Sequence, residues 1–176
     1  MAKANWAIDP THSEIGFKVK HMMFTNVSGK FDSFSADIQN EETQFETSEI
    51  RFSAEVKSIN TGNSDRDNHL RSADFFDTDT FGTLTFKSTS ITKVNEGQYE
   101  IKGDLTIKDV TQNISLGAEY SGLMKDPWGN TRIGLSLNGS INRKDFGLTW
   151  NAALETGGVL VGEDIKLSAD VQFVKQ

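Results

Sequence analysis

Any chemistry in this chain must come from a small set of polar side chains. The three histidines, His12, His21 and His69, are the natural candidates for a metal ligand or an acid–base group near neutral pH. His12 follows Asp9-Pro10-Thr11 in a turn, His21 closes an alternating run, and His69 lies where alternation is absent. Three separate elements favour capping and hydrogen-bonding roles over a shared metal site. Asp65-x-Asp67-x-His69 has the opening of a calcium loop. Leu70, however, stands where that loop needs glycine, and Phe76 where it needs glutamate. No G-x-S-x-G elbow, Walker loop or dinucleotide fingerprint is present. Gly157-Gly158-Val159-Leu160-Val161-Gly162 has the wrong spacing for a phosphate loop and reads as a turn between strands.

Asn142-Arg143-Lys144-Asp145-Phe146-Gly147, with Trp150 just after it, supports two readings. Arg143 and Asp145 can form an ion pair that holds a strand end. Alternatively, Arg143 is a cation at a cavity mouth, meeting an anionic or carbonyl head group. Local sequence leaves both open. An enzyme built from this chain would gather His12, His21, Asp67, Arg143 and Asp145 at one mouth, within hydrogen-bond reach.

The elements that must carry these groups show close to strict alternation. Ile15, Phe17 and Val19 alternate with Gly16, Lys18 and Lys20; Ile50, Phe52, Ala54 and Val56 do the same with polar partners. The pattern returns at Leu84 and Phe86, from Tyr99 to Ile107, from Ile114 to Tyr120, from Ile133 to Ile141 and from Ile165 to Phe173. Period two with a polar opposite face predicts antiparallel strands with one wet side. Adding Trp6–Ile8 and Val27–Ile38 gives eight or more strands, separated by turns at Asp9-Pro10, Glu96-Gly97, Asp126–Asn130 and Gly157-Gly158. Closure into a barrel removes the edges of so large a sheet, and runs of ten or more residues favour a tall barrel over a sandwich. Ser64–Phe76 breaks the alternation. Ser64 with Asp67 resembles a capping box, and Leu70, Ala73 and Phe76 would share one face of a short helix, about residues 65–74, near one end of the barrel.

Composition narrows the function. The length of 176 residues suits one domain, 1–176, with a sizeable core. A net charge of −7 argues against tracking nucleic-acid phosphates and against adsorption to anionic membranes. Without cysteine there is no disulfide, thiolate catalysis or cysteine-held metal. No apolar leader and no apolar run long enough to span a membrane is visible, so a cytoplasmic location is expected. Twelve phenylalanines beside 16 serines and 16 threonines fit pleated, half-buried surfaces.

Several polar islands, taken in order, are specific in combination. They are Asp9-Pro10-Thr11-His12-Ser13, Lys20-His21, Gly29-x-Phe31, Ser58-Ile59-x-Thr61-Gly62, Arg66-Asp67-x-His69-Leu70, Asp74-Phe75-Phe76-Asp77, Gly103–Ile107 and Asn142-Arg143-x-Asp145-Phe146-Gly147-Leu148. From about Trp6 to Val174 they resemble the YceI-like family of polyisoprenoid-binding proteins. The resemblance implies an all-β fold, an extended antiparallel lipocalin-like β-barrel with an apolar internal channel. It also implies a long isoprenoid or similar amphiphile as ligand, and homodimers. One departure is Phe81-Gly82-Thr83, where the family is expected to carry proline after the phenylalanine; glycine would loosen the approach to the next strand.

Inward candidates mix large Phe17, Phe52 and Phe86 with small Ala54, Gly103, Ala118, Gly139 and Ala169, which would leave space for a chain. A channel ligand would lie against Phe17, Val19, His21, Phe31, Phe52, Ala54, Leu70, Phe75, Phe76, Phe86, Leu105, Leu116, Leu135, Phe146 and Trp150. His12, Arg66, His69, Arg143 and Asp145 would form its head-group rim. The expectation is non-catalytic binding, transport or storage of a polyisoprenoid or isoprenoid quinone, with no catalytic residue, no metal and no cofactor beyond that lipid. The alternatives are an enzyme acting on the head group, or a side-chain-filled barrel serving as an interaction module.

Overall fold

The computed structural model describes residues 3–152, 154 and 160–176, so the turn expected at Gly157-Gly158 lies outside the described residues. The strands are β1 (Lys3–Ile8), β2 (Glu14–His21), β3 (Thr25–Phe31), β4 (Phe34–Glu41), β5 (Gln44–Glu55) and β6 (Ile59–Asn60). After helix α1 (Ser64–Arg71) come β7 (Thr83–Asn95), β8 (Gln98–Ile107), β9 (Val110–Tyr120), β10 (Met124–Lys125), β11 (Thr131–Asn142) and β12 (Val161–Lys175). Every pairing is antiparallel, in the order β10-β11-β9-β8-β7-β5-β4-β1-β12-β2-β3-β6. A long β11–β12 ladder, Arg132↔Val174 through Asn142↔Asp164, closes eight of the strands into a barrel. Closure leaves no long edge between them, as the alternation predicts.

The barrel is tall because several strands are bent segments in series. β1 and β2 pair with the same strand, β12, one after the other: Ile8 faces Phe173 and Glu14 faces Asp170. Between them Pro10–His12 makes a short 3-10 turn, started by the Asp9 carboxylate, which accepts from Thr11 N–H (3.1 Å). The run expected as one strand from Val27 to Ile38 is likewise broken at Asp32-Ser33 into β3 and β4. The flap β2-β3-β6 thus extends the barrel wall past the pairing of β1 with β4.

The two ends differ. At the end holding the β4–β5 and β7–β8 turns, Trp6, Ile38, Phe45, Tyr99, Ile133 and Tyr120 fill the interior; Phe45 stacks on Tyr120 at 4.4 Å between ring centres. Trp6 Nε1 donates to Asn40 Oδ1 (2.9 Å) and Asn40 Nδ2 to Ser48 Oγ (3.1 Å), so the polar atoms in this floor are satisfied. The other end carries α1, the 3-10 turn Arg143–Phe146 and the β2–β3 turn.

The helix is shorter than expected and starts one residue earlier. Its cap is Asn63, whose side chain accepts from Arg66 N–H, and not Ser64. Asp67 is not part of a capping box. It is buried and accepts from Thr61 N–H (2.9 Å) and Thr61 Oγ1 (2.6 Å), tying α1 back to the strand before it. At Gly82 the backbone carbonyl accepts from Val56 N–H (3.1 Å), which joins the approach of β7 to the end of β5.

Candidate functional site

Between the aromatic floor and α1 lies an internal cavity of about 220 Å³. Its wall draws alternate residues from the strands around it: Ile15, Phe17 and Val19 of β2, Ile50 and Phe52 of β5, and Leu135 and Leu137 of β11. On β12 the inward face runs Ile165, Leu167, Ala169, Val171 and Phe173. At about 3.4 Å per residue, the eight-residue span from Ile165 to Phe173 covers roughly 27 Å of strand, and a tilt near 40° reduces this to about 20 Å of barrel height. Leu70, Phe75 and Phe76 cover the cavity from the helix side. Among the described residues the polar ones in the wall are Asn138, Ser168 and Arg143, and Asn138 and Ser168 belong to the outer, exposed face of their strands.

Eleven of the expected ligand contacts meet at this cavity: Phe17, Val19, Phe31, Phe52, Leu70, Phe75, Phe76, Phe86, Leu105, Leu116 and Leu135. Four do not line it. His21 is the last residue of β2, where the chain turns over beside Val161. Ala54 is fully buried, but its short side chain sits among its neighbours in the core. Phe146 is buried in the 3-10 turn. Trp150 packs from outside, with its ring against His69 (4.6 Å) and Phe75 (5.4 Å), and so backs the helix rather than the cavity.

The rim residues do not converge. His12 is exposed on the outer wall, bonded through Nδ1 to Asp9 (2.8 Å), which also receives Arg132 Nη1 (2.8 Å). Asp9 bonds Gln172 while Arg143 bonds Gly162, so the two groups stand roughly 30 Å apart along β12. Arg66 donates to Thr61 Oγ1 and Thr61 O, and His69 Nε2 contacts Asp74 (2.9 Å); both brace α1. The arrangement of His12, His21, Asp67, Arg143 and Asp145 around one mouth is therefore absent.

Neither simple reading of Arg143 survives intact. The Arg143–Asp145 ion pair is absent: Asp145 is exposed, and its backbone carbonyl accepts from Gln112 Nε2 (3.2 Å). Arg143 is 2 % exposed and donates to four backbone carbonyls, those of Gly162 (2.8 Å), Leu148 (2.6 Å), Trp150 (2.9 Å) and Val161 (3.3 Å). It staples the segment after β11 to the start of β12. Burial pushes its guanidinium pKa down, against the field of Glu163. Arg143 is the one charged residue in the described cavity wall.

The expected space beside the inward glycines is occupied. A Cβ on Gly103 would strike the Phe86 ring and stand 2.6 Å from Lys87 O; one on Gly139 would stand 2.6 Å from Leu116 Cδ2. Gly29 receives the Phe17 ring in the same way. These glycines are seats for large neighbours on the adjacent strand, which turns those side chains along the wall. Ala169, in contrast, does line the cavity.

Comparison with known proteins agrees with this architecture. The sequence profile of the YceI-like domain matches residues 6–173. The chain belongs to the YceI-like family. UPF0312 protein SA2479 of Staphylococcus aureus (strain N315) is 39% identical over 170 residues, covering 96% of this chain and 96% of the relative. Among solved structures, the Campylobacter jejuni YCEI protein superposes with a TM-score of 0.76 at 34% identity, over 96% of each chain. Burkholderia cenocepacia BcnA shares the lipocalin-like fold, with a TM-score of 0.80 at 19% identity over 94% of this chain and 98% of its own. A polyisoprenoid binding domain from Saccharophagus degradans shares it too, with a TM-score of 0.72 at 14% identity over 97% and 98% of the two chains.

Proposed function

We propose that this YceI-like protein is a non-catalytic carrier or store for one long apolar chain, a polyisoprenoid or isoprenoid quinone, held in the barrel cavity. The observation that carries the reading is the wall itself, with hydrocarbon side chains over about 20 Å of height and one buried cation, whose hydrogen bonds go to backbone carbonyls. A cavity of about 150 Å³ takes the six carbons of benzene, so the 220 Å³ here takes about nine carbons of such a chain. At about 0.8 kcal/mol per buried CH2, such a chain binds tightly with no polar anchor. The Saccharophagus degradans neighbour, a polyisoprenoid binding domain, supports the same ligand class.

Ligand contacts in this reading are the eleven expected residues that line the cavity, together with the inward face of β12. His12, His69 and Arg143, the groups an acid–base site would use, lie on different parts of the barrel, which supports binding over turnover. Among the described residues no helix is long and apolar enough to cross a membrane. A cytoplasmic site of action and a homodimer belong to the same proposal.

Native mass spectrometry of freshly purified protein, followed by solvent extraction, tests it. The expected result is one prenyl-type lipid per chain, or stoichiometric uptake of added quinone by the emptied protein, on a dimer mass. No lipid and no uptake would overturn the carrier reading in favour of an interaction module.

A further inference from the structure

The turn joining β2 to β3 is unlike the rest of the surface. Met22 and Met23 both lie in the left-handed region (φ 52° and 63°), and Phe24 N–H donates to His21 O (3.3 Å), a primed-type turn inside the three-residue loop between the paired His21 and Thr25. Asparagine and glycine suit those two positions; methionine there is strained. Met22, Met23 and Phe24 are all exposed, Phe24 at 82 %, although a hairpin tip is ordinarily polar. A strained backbone thus presents three consecutive apolar side chains to solvent. The tip rises from the cavity end of the barrel, since Val19 and Val161, which line the cavity, flank His21 on β2 and face it from β12.

Charge around the tip runs against the net −7. Lys18 and Lys20 stand exposed on the outer face of β2, and Lys166 of β12 is directly opposite Lys18 in the register. Like charges facing each other across a ladder cost stability. None of the three is in an ion pair among the described residues, and Lys18 and Lys166 border a shallow depression in the outer wall. Glu163 and Asp164 are the nearby acids on β12, and Glu163 is already paired with Lys144 (2.7 Å). The lysines lie within about 15 Å of the tip along the strand.

We infer that Met22-Met23-Phe24 is a membrane-docking tip that inserts into the interface of an anionic lipid bilayer, with Lys18, Lys20 and Lys166 against the head groups. Apolar insertion plus lysine attraction to anionic lipid is the ordinary recipe for reversible peripheral binding. The lysine cluster selects a bilayer over a second copy of this chain, whose surface would bring the same lysines to the contact. Docking by this tip sets the cavity end beside the lipid. A chain could then pass between bilayer and barrel without crossing water. Only this last consequence rests on the carrier reading; docking itself does not.

Co-sedimentation with vesicles tests the tip. Vesicles of phosphatidylcholine alone are compared with equal parts phosphatidylcholine and phosphatidylglycerol. The parent protein is expected to sediment with the mixed vesicles and weakly with phosphatidylcholine. Met23→Ser with Phe24→Ser should lower partitioning by about tenfold or more, as should Lys18→Glu with Lys20→Glu on mixed vesicles. Trp128→Ser removes a side chain that is 80 % exposed at the opposite end and should change nothing. Thermal melts confirm that each variant is folded. Parent protein that stays in the supernatant, or sensitivity to Trp128→Ser equal to that of the tip variants, overturns the inference. Self-association that Phe24→Ser abolishes, without vesicle binding, overturns it in favour of a second copy. Quinone uptake from solution by the tip variants should match the parent, so failure of docking and failure of lipid binding are read separately.

Discussion

Ala169 offers the most direct test of where a ligand lies. It sits on the inward face of β12 at mid-height, between Leu167 and Val171, with Ile15 opposite on β2 and Leu137 on β11. Ala169→Phe adds a phenyl ring, and a cavity of about 150 Å³ is what a benzene molecule needs. That is most of the 220 Å³ present. The ring would displace about six carbons of bound chain, and at about 0.8 kcal/mol per CH2 the loss is about 5 kcal/mol, more than a thousandfold in Kd. Ala169→Leu, with three added carbons, should lose roughly half that free energy. Because both changes fill existing space, the emptied variants should melt at or above the parent temperature. Ser140→Phe, which places the same ring on the outer face of β11, is the control and should bind normally. The assay is titration of emptied protein with a quinone, followed by intrinsic fluorescence. A folded Ala169→Phe protein with parental affinity would refute the reasoning, since no chain could then occupy the middle of the barrel.

Three further outcomes follow from the geometry. Gly103→Ala should destabilise by about 1–3 kcal/mol in urea melts, because its Cβ meets the Phe86 ring and Lys87 O; Phe86→Leu should recover part of the loss. Arg143→Met removes the side-chain donor from four carbonyls at a site 2 % exposed, of which Val161 O keeps Asn151 Nδ2 (2.8 Å), and should cost about 3 kcal/mol, with Arg143→Lys intermediate since an ammonium has three donors. An Arg143→Met protein as stable as the parent but unable to bind lipid would move Arg143 from strut to ligand contact. On the outer wall, Arg132 holds Asp9 well below the usual carboxylate range, helped by His12, and Asp126 at about 2. Their folded pKa values lie below the unfolded ones, so this contact stabilises fully above about pH 4 and fades as pH falls toward 2. The melting difference between parent and Arg132→Gln should therefore be present at pH 7 and shrink between pH 4 and 2. A difference that does not vary with pH would contradict the assignment.

The strands and their inward face are largely legible in the sequence. Period-two alternation is a local property, and it placed Phe17, Phe52, Phe86 and Leu135 on the wall because a strand in a closed barrel has only two faces. The same signal covered Leu167, Val171 and Phe173, which the expected contact set omitted. The family resemblance, carried by polar islands such as Asp9–Ser13 and Arg66–Leu70, placed the chain correctly, and those islands prove to be struts: Asp9 to Arg132, Arg66 and Asp67 to Thr61.

What the sequence determined by itself was the periodicity, the absence of thiol chemistry and the count of phenylalanines. Only tertiary structure decided how those rings divide. Phe45 joins Tyr99 and Tyr120 in a floor, Phe17 and Phe86 fold across glycines on neighbouring strands, and Phe24 faces solvent. Whether an inward glycine leaves a gap depends on the residue opposite, which register sets and local sequence does not carry. Likewise Arg143 looks the same in sequence beside a carboxylate or a ring of carbonyls. Its partners Val161 and Gly162 stand 18 and 19 positions away, and the closure of β11 onto β12 brings them together.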